Sequence, residues 1–176
     1  MSGHSKWSQI KHRKGAADQK KGQVFSKLAN KITIAARSGI DPASNYKLQS
    51  VIEEARAANM PKDNIERAIK QAGDKDSTAI NEILIQAMGP GGIAIAIEGV
   101  TDNSNRTINE IKKILSENGA KMVPEGSLSW AFSHGWVPIT PIELGDKNQR
   151  DKIEGLLGLL AEHDDVEKVH TNLKSG

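Results

Sequence analysis

Four cations and two histidines fall within eleven residues around a single indole, in the run Gly3-His4-Ser5-Lys6-Trp7-Ser8-Gln9-Ile10-Lys11-His12-Arg13-Lys14. Cations at this density meet phosphates. The face of Trp7 can stack on an unpaired base or seat in a groove, and His4 and His12 can donate to phosphate, more so when protonated. The alternative is a solvated basic tail whose Trp7 packs on neighbouring helices. Downstream, Lys20, Lys27 and Lys31 are spaced by seven and four. A helix places such residues on one face, which would extend the positive stripe; a lysine-solubilised surface is the competing reading. Lys62 stands in Asn59-Met60-Pro61-Lys62-Asp63-Asn64-Ile65 and could join that surface with Arg67 and Lys70. A helix break and restart at Pro61 accounts for the same residues.

The net charge of +2 hides a strong asymmetry. Residues 1–70 carry fourteen Lys/Arg against six Asp/Glu, a net of +8, and residues 71–176 carry ten against sixteen, a net of −6. Up to Arg37 there are nine basic residues and one acid, Asp18. Charge segregated in this way points to a polyanionic partner, DNA or RNA.

Other chemistries find little support. The chain has no cysteine, so disulfides, thiolate metal sites and cysteine nucleophiles are excluded. Gly89-Pro90-Gly91-Gly92 lacks the Lys-Ser/Thr ending of a phosphate loop and reads as a hairpin turn. Asp102 to Asn105 supply capping groups at a strand-to-helix junction, where Arg106 could also help hold an anion. His163-Asp164-Asp165 offers metal-ligand types, but adjacent residues do not easily face one ion, and a helix end is the simpler reading. No paired acid–base constellation or nucleophile elbow stands out. The expectation is a non-enzymatic protein without cofactor or metal. The N-terminus has no apolar h-region and no stretch approaches membrane-spanning length, so no membrane partner and a cytoplasmic location are expected.

The elements that must position these groups follow from periodicity. A basic arm is expected over residues 1–15 and a helical domain over 16–75. Val24, Leu28, Ile32 and Ala35 recur at helical steps from Ala16 until Gly39, and Asp41-Pro42 restarts the chain with a cap and a first-turn proline. Leu48, Val51, Ile52 and Ala55 mark a second helix. Ile65, Ala68 and Ile69 mark a third, ending at Gly73. After a polar linker at 74–79 the period becomes alternating. Strands are expected around Ile83–Ala87, Ile93–Ile97, Lys121–Val123, Ser127–Phe132, Val137–Leu144 and Val166–Thr171, with helices over 104–118 and 146–162. The fold class is α+β: a three-helix domain, then a ferredoxin-like (split βαβ) domain over 80–172.

At several stretches the chain resembles the YebC/PmpR family, which includes the mitochondrial translational activator of cytochrome oxidase subunit I. The resemblance rests on Gly3-His4-Ser5-Lys6-Trp7 with Ile10-Lys11-His12-Arg13-Lys14, on Ala57 through Ile65, and on Gly89-Pro90-Gly91-Gly92. It continues in Thr101-Asp102-Asn103 with Asn105-Arg106-Thr107, in Gly126-Ser127 with Trp130 and Phe132, and in Asp164 through Asn172. It implies DNA-binding transcriptional regulation, or an RNA-binding translation factor that associates with ribosomes and relieves stalling on proline-rich chains. It also implies that His4 to Lys14 and Lys62 belong to the nucleic-acid surface. The family chain usually inserts a third domain after the Trp130–Phe132 segment. Here Ser133-His134-Gly135-Trp136 bridges that point, so a form lacking the third domain near 133–136 is expected.

Overall fold

A computed structural model describes residues 3–74 and 79–174, with side chains from residue 17 onward. The chain divides into two compact units, Met1–Thr78 and Ala79–Gly176.

The first unit contains α1 (Gly3–Ala36), α2 (Tyr46–Ala57) and α3 (Lys62–Gly73). Its core joins Leu28, Ile32 and Ala35 of α1, Leu48, Ile52 and Ala55 of α2, and Ile65 and Ala68 of α3. Two polar side chains lock the helices together. Buried Thr33 donates to Ala29 O in its own helix and lies at 3.0 Å from Ala68 O of α3. Asn45 caps α2 by accepting from Leu48 N at 3.1 Å, while its amide donates to Ala35 O and Gly39 O at 2.8 and 2.7 Å.

Two boundaries differ from expectation. The helix expected from Ala16 begins at Gly3. Residues 3–15 contain no proline and several good helix formers, and Gly15 costs only about 1 kcal/mol relative to alanine, too little to end a helix. The second helix is capped by Asn45 rather than Asp41. Asp41 instead accepts from Ala43 N at 3.0 Å in a preceding turn. The break before α3 is a helix C-terminal cap: Asn59 takes φ +60 and Met60 N donates to Ala55 O at 2.9 Å, the six-to-one bond of a Schellman motif.

The second unit is a four-stranded antiparallel sheet in the order β3-β1-β2-β4, with β1 at Asn81–Met88, β2 at Ala94–Thr101, β3 at Lys121–Val123 and β4 at Val166–Thr171. The crossover β2–α4–β3 straddles β1 and gives the split βαβ arrangement. Helices α4 (Ser104–Glu117) and α5 (Lys147–Glu162) supply Ile111, Leu115, Ile153, Leu156 and Leu160 to a core against Ile85, Ala87, Ile93, Ile95 and Ile97. The other face of β2 carries Ala94 and Ala96, which pack under Leu128, Ala131 and Phe132. The Gly89–Gly92 segment is a tight hairpin turn with Gly91 and Gly92 at φ +73 and +74.

Two expected strands are absent. Ser127–Phe132 is a series of turns, and Val137–Leu144 makes only single bridges, Phe132 to Pro138 and Ile142 to Leu173. Leu128, Trp130 and Phe132 alternate in sequence, but Leu128, Ala131 and Phe132 are the buried set. Gly126 at φ +86 turns the chain back over the sheet before any ladder can form.

Gly99 sits at an irregularity where β2 meets β4. A Cβ there would run into the backbone carbonyl of Asp165, which accepts from Val100 N at 2.8 Å. Gly99→Ala should therefore destabilise the second unit by about 1–3 kcal/mol, measurable as a lowered urea midpoint.

Candidate nucleic-acid interface

The basic run and the lysine stripe belong to one helix. At about 1.5 Å per residue, α1 with its 34 residues is about 51 Å long, against about 18 Å for each of the 12-residue α2 and α3. Ala17 to Gly22 are all exposed, so this stretch of α1 contributes nothing to the core. The side chains of His4, Lys6, Trp7, Lys11, His12, Arg13 and Lys14 lie outside the described residues; their backbone is helical.

Of the remaining candidates, Lys20 is exposed. Lys21 lies over the Phe25 ring at 5.5 Å, a cation–π contact. Lys27 is half-buried and engaged in an interaction of its own. Lys31 pairs with Glu54 of α2 at 3.0 Å. Lys62 opens α3 and pairs with Glu66 at 3.3 Å, both side chains well exposed. Exposed pairs of this kind are worth about 0–1 kcal/mol, so a phosphate can compete for either lysine.

The second unit holds a polar cluster that combines two of the sequence motifs, the strand-to-helix junction at 101–107 and His163-Asp164-Asp165. Asn103 caps α4 by accepting from Arg106 N at 3.1 Å. Asp165 accepts from Thr107 Oγ1 at 2.5 Å and from Arg106 Nη2 at 2.9 Å. Burial alone would push the Asp165 carboxyl up. Hydrogen bonds from Thr107, Arg106 and Thr101 outweigh that and hold it below the usual aspartate range. Among the described residues, Glu110, His163 and Asp165 bring three potential metal ligands within 4.8 Å of one another. Both imidazole nitrogens are already used. Asp165 N donates to Nδ1 at 3.1 Å, which puts the proton on Nε2, 3.0 Å from Glu110. With Arg106 also on Asp165, the arrangement works as a strut between α4 and β4.

Sequence reasoning missed a groove of about 690 Å³ on the sheet face opposite α4 and α5. Its lining includes Gln86, Glu98, Phe132, Trp136, Lys168 and His170. Glu98 accepts from Trp136 Nε1 at 3.2 Å and lies 3.1 Å from His170 Nε2. Trp136 stacks on His170 with centroids 6.1 Å apart and meets Phe132 edge-on at 5.6 Å. The available signal was a polar residue set within an apolar stretch of a strand: Gln86 between Ile85 and Ala87, and Glu98 after Ile97.

Residues 5–75 match the TACO1/YebC protein N-terminal domain, and residues 80–135 match the TACO1/YebC second and third domain. The chain belongs to the TACO1/YebC family. A relative in Petrotoga mobilis named "Probable transcriptional regulatory protein" is 50% identical over 83% of this chain and 59% of its own length. A relative of the same name in Desulfosudis oleivorans is 41% identical over 98% of this chain and 76% of its own length. The chain spans 54–59% of the length of the first four curated relatives it matches. The crystal structure of a conserved hypothetical protein, Aq1575 from Aquifex aeolicus, superposes with a TM-score of 0.83 at 26% identity, covering 89% of this chain and 91% of that one. In this TACO1/YebC chain the match to the second and third domain ends within the turn His134–Trp136, which is closed by Ser133 N donating to Val137 O at 2.9 Å.

The Asp165 strut has a pH signature. A carboxyl with a lowered folded-state pKa contributes stability that is complete above its unfolded value and lost as pH falls through the folded one. Urea midpoints of the second unit should therefore drop below about pH 4. Asp165→Asn should lower stability at neutral pH and flatten that acid limb.

Proposed function

We propose that this chain is a non-enzymatic, nucleic-acid-binding regulator of gene expression, acting in the cytoplasm, with the phosphate-binding surface on α1. The observation that carries the reading is a charge pattern delivered on a continuous scaffold. Eight of the nine Lys/Arg up to Arg37, opposed only by Asp18, are strung along one helix whose residues 17–22 are all exposed. His4, Lys6, Trp7, Lys11, His12, Arg13, Lys14, Lys20, Lys27, Lys31 and Lys62 are the proposed contacts. The name shared by the relatives, "Probable transcriptional regulatory protein", supports transcriptional regulation, and DNA is the polyanion proposed for that role. Among the described residues no helix is long and apolar enough to cross a membrane.

The second reading is an RNA-binding translation factor at the ribosome, relieving stalling on proline-rich sequences. A long basic helix favours it, because A-form RNA is recognised mainly by shape and by phosphate and 2′-hydroxyl contacts rather than by base edges in the major groove. Under this reading the chain acts as a two-unit form without the third domain near 133–136.

Replacing Lys6, Lys11, Arg13 and Lys14 with glutamine should weaken binding to RNA and duplex DNA and reduce the log–log salt slope by about 3. An unchanged slope would remove the segment from the mechanism. Crosslinking from cells followed by sequencing separates the readings: discrete promoter sites select transcription, and ribosomal RNA selects translation.

A further inference from the structure

The second unit covers only part of the sheet face turned away from α4 and α5. In register, Val123, Gln86, Ala96 and His170 form one row across all four strands, and Leu84, Glu98 and Lys168 form the next. The smallest side chain, Ala96, lies in the middle of its row. Leu128, Ala131 and Phe132 close over Ala94 and Ala96, and the remaining space is the groove of about 690 Å³, within the range of small-ligand sites.

Its hydrogen-bonding capacity is lopsided. Gln86 is only 6% exposed. Its Oε1 accepts from Leu128 N at 3.3 Å, whereas its Nε2 makes no hydrogen bond among the described residues and the side chain lines the groove. That amide faces the open groove and can donate to an acceptor placed there. Both oxygens of Glu98, the acid in the lining, are already engaged by Trp136 and His170. Of the remaining polar groups, Lys168, His134 and Ser129 are exposed and can donate, whereas the Ser133 hydroxyl already donates to Val137 O. The walls are aromatic: Phe132, Trp136 and His170. Trp136 is held at φ +61, an uncommon conformation for a bulky residue, and its contacts to Glu98, Phe132 and His170 keep it there.

A donor-rich, aromatic groove with Lys168 exposed at its rim and Glu98 already paired inside suits a planar, acceptor-rich ligand that carries a negative charge at one end. We infer that the groove binds one unstacked nucleotide, its base against the Trp136–Phe132 wall, accepting from Gln86 Nε2, and its phosphate on Lys168. The inference is independent of the α1 surface, because every residue it uses lies in the second unit.

The test titrates the full chain with each of the four nucleoside monophosphates and, separately, with a short mixed-sequence single strand. The Trp136 indole N–H and the Gln86 side-chain amide are followed by NMR. Saturable shifts in both groups are expected. Gln86→Met should weaken binding about fivefold through the lost hydrogen bond, and Lys168→Gln, on the exposed rim, several-fold. The variant lacking the four α1 charges should keep these shifts while binding long strands more weakly and with the reduced salt slope. Saturation by a monophosphate identifies a free nucleotide as sufficient, and saturation by the strand alone identifies an unpaired base within a chain. No shift with either probe, or binding unchanged by both Gln86→Met and Lys168→Gln, overturns the site.

Discussion

The apolar stripe of α1 ends before the helix does. Phe25, Leu28, Ile32, Ala35 and Ala36 bury against α2 and α3, but those helices have only 12 residues each and can cover no more than the last part of a 34-residue partner. Packing supplies most of a helix's stability in a protein, so the uncovered part must rely on propensity and on continuity with the packed turns. That part is also where the cations are. Over residues 17–22, where every residue is exposed, the helix carries Lys20 and Lys21 without burying either.

The second unit is organised by the opposite condition, a strand with no solvent face. Every residue of β2 except Glu98 is buried. The isoleucines meet the two helices, and the alanines leave just enough depth for a turn segment to close over the sheet. Asn172 fastens that covering at its far end: Oδ1 accepts from Ala94 N and Nδ2 donates to Thr140 O, both at 2.8 Å. The same small side chains that permit the covering create the groove beside it.

Much of this was legible in the chain itself. The three helices of the first unit, the hairpin around Gly89–Gly92, the helices after Asn103 and Asp146 and the closing strand all follow from periodicity and caps. Misreadings arose where local patterns competed with long-range ones. Leu128, Trp130 and Phe132 alternate as a strand would, yet no free edge receives them, and Gly126 redirects the chain over Ala94 and Ala96. Asp41 looked like the helix cap because a proline follows it, but Asn45 can cap α2 and also reach Ala35 O and Gly39 O.

By itself the sequence determined where charge is concentrated, where apolar periods change and which segments share motifs with the family, because each of these is a property of neighbouring residues. Tertiary structure decided which cations are already paired, as Lys31 is with Glu54. It also decided that Thr101, Thr107, Arg106 and Asp165 form one strut, and that Gln86, Glu98, Trp136 and His170 line one groove. Those groups are separated by up to 84 positions, and strand register brings several of them together. Register follows from burying the whole isoleucine face at once, a cooperative condition that local spacing does not encode.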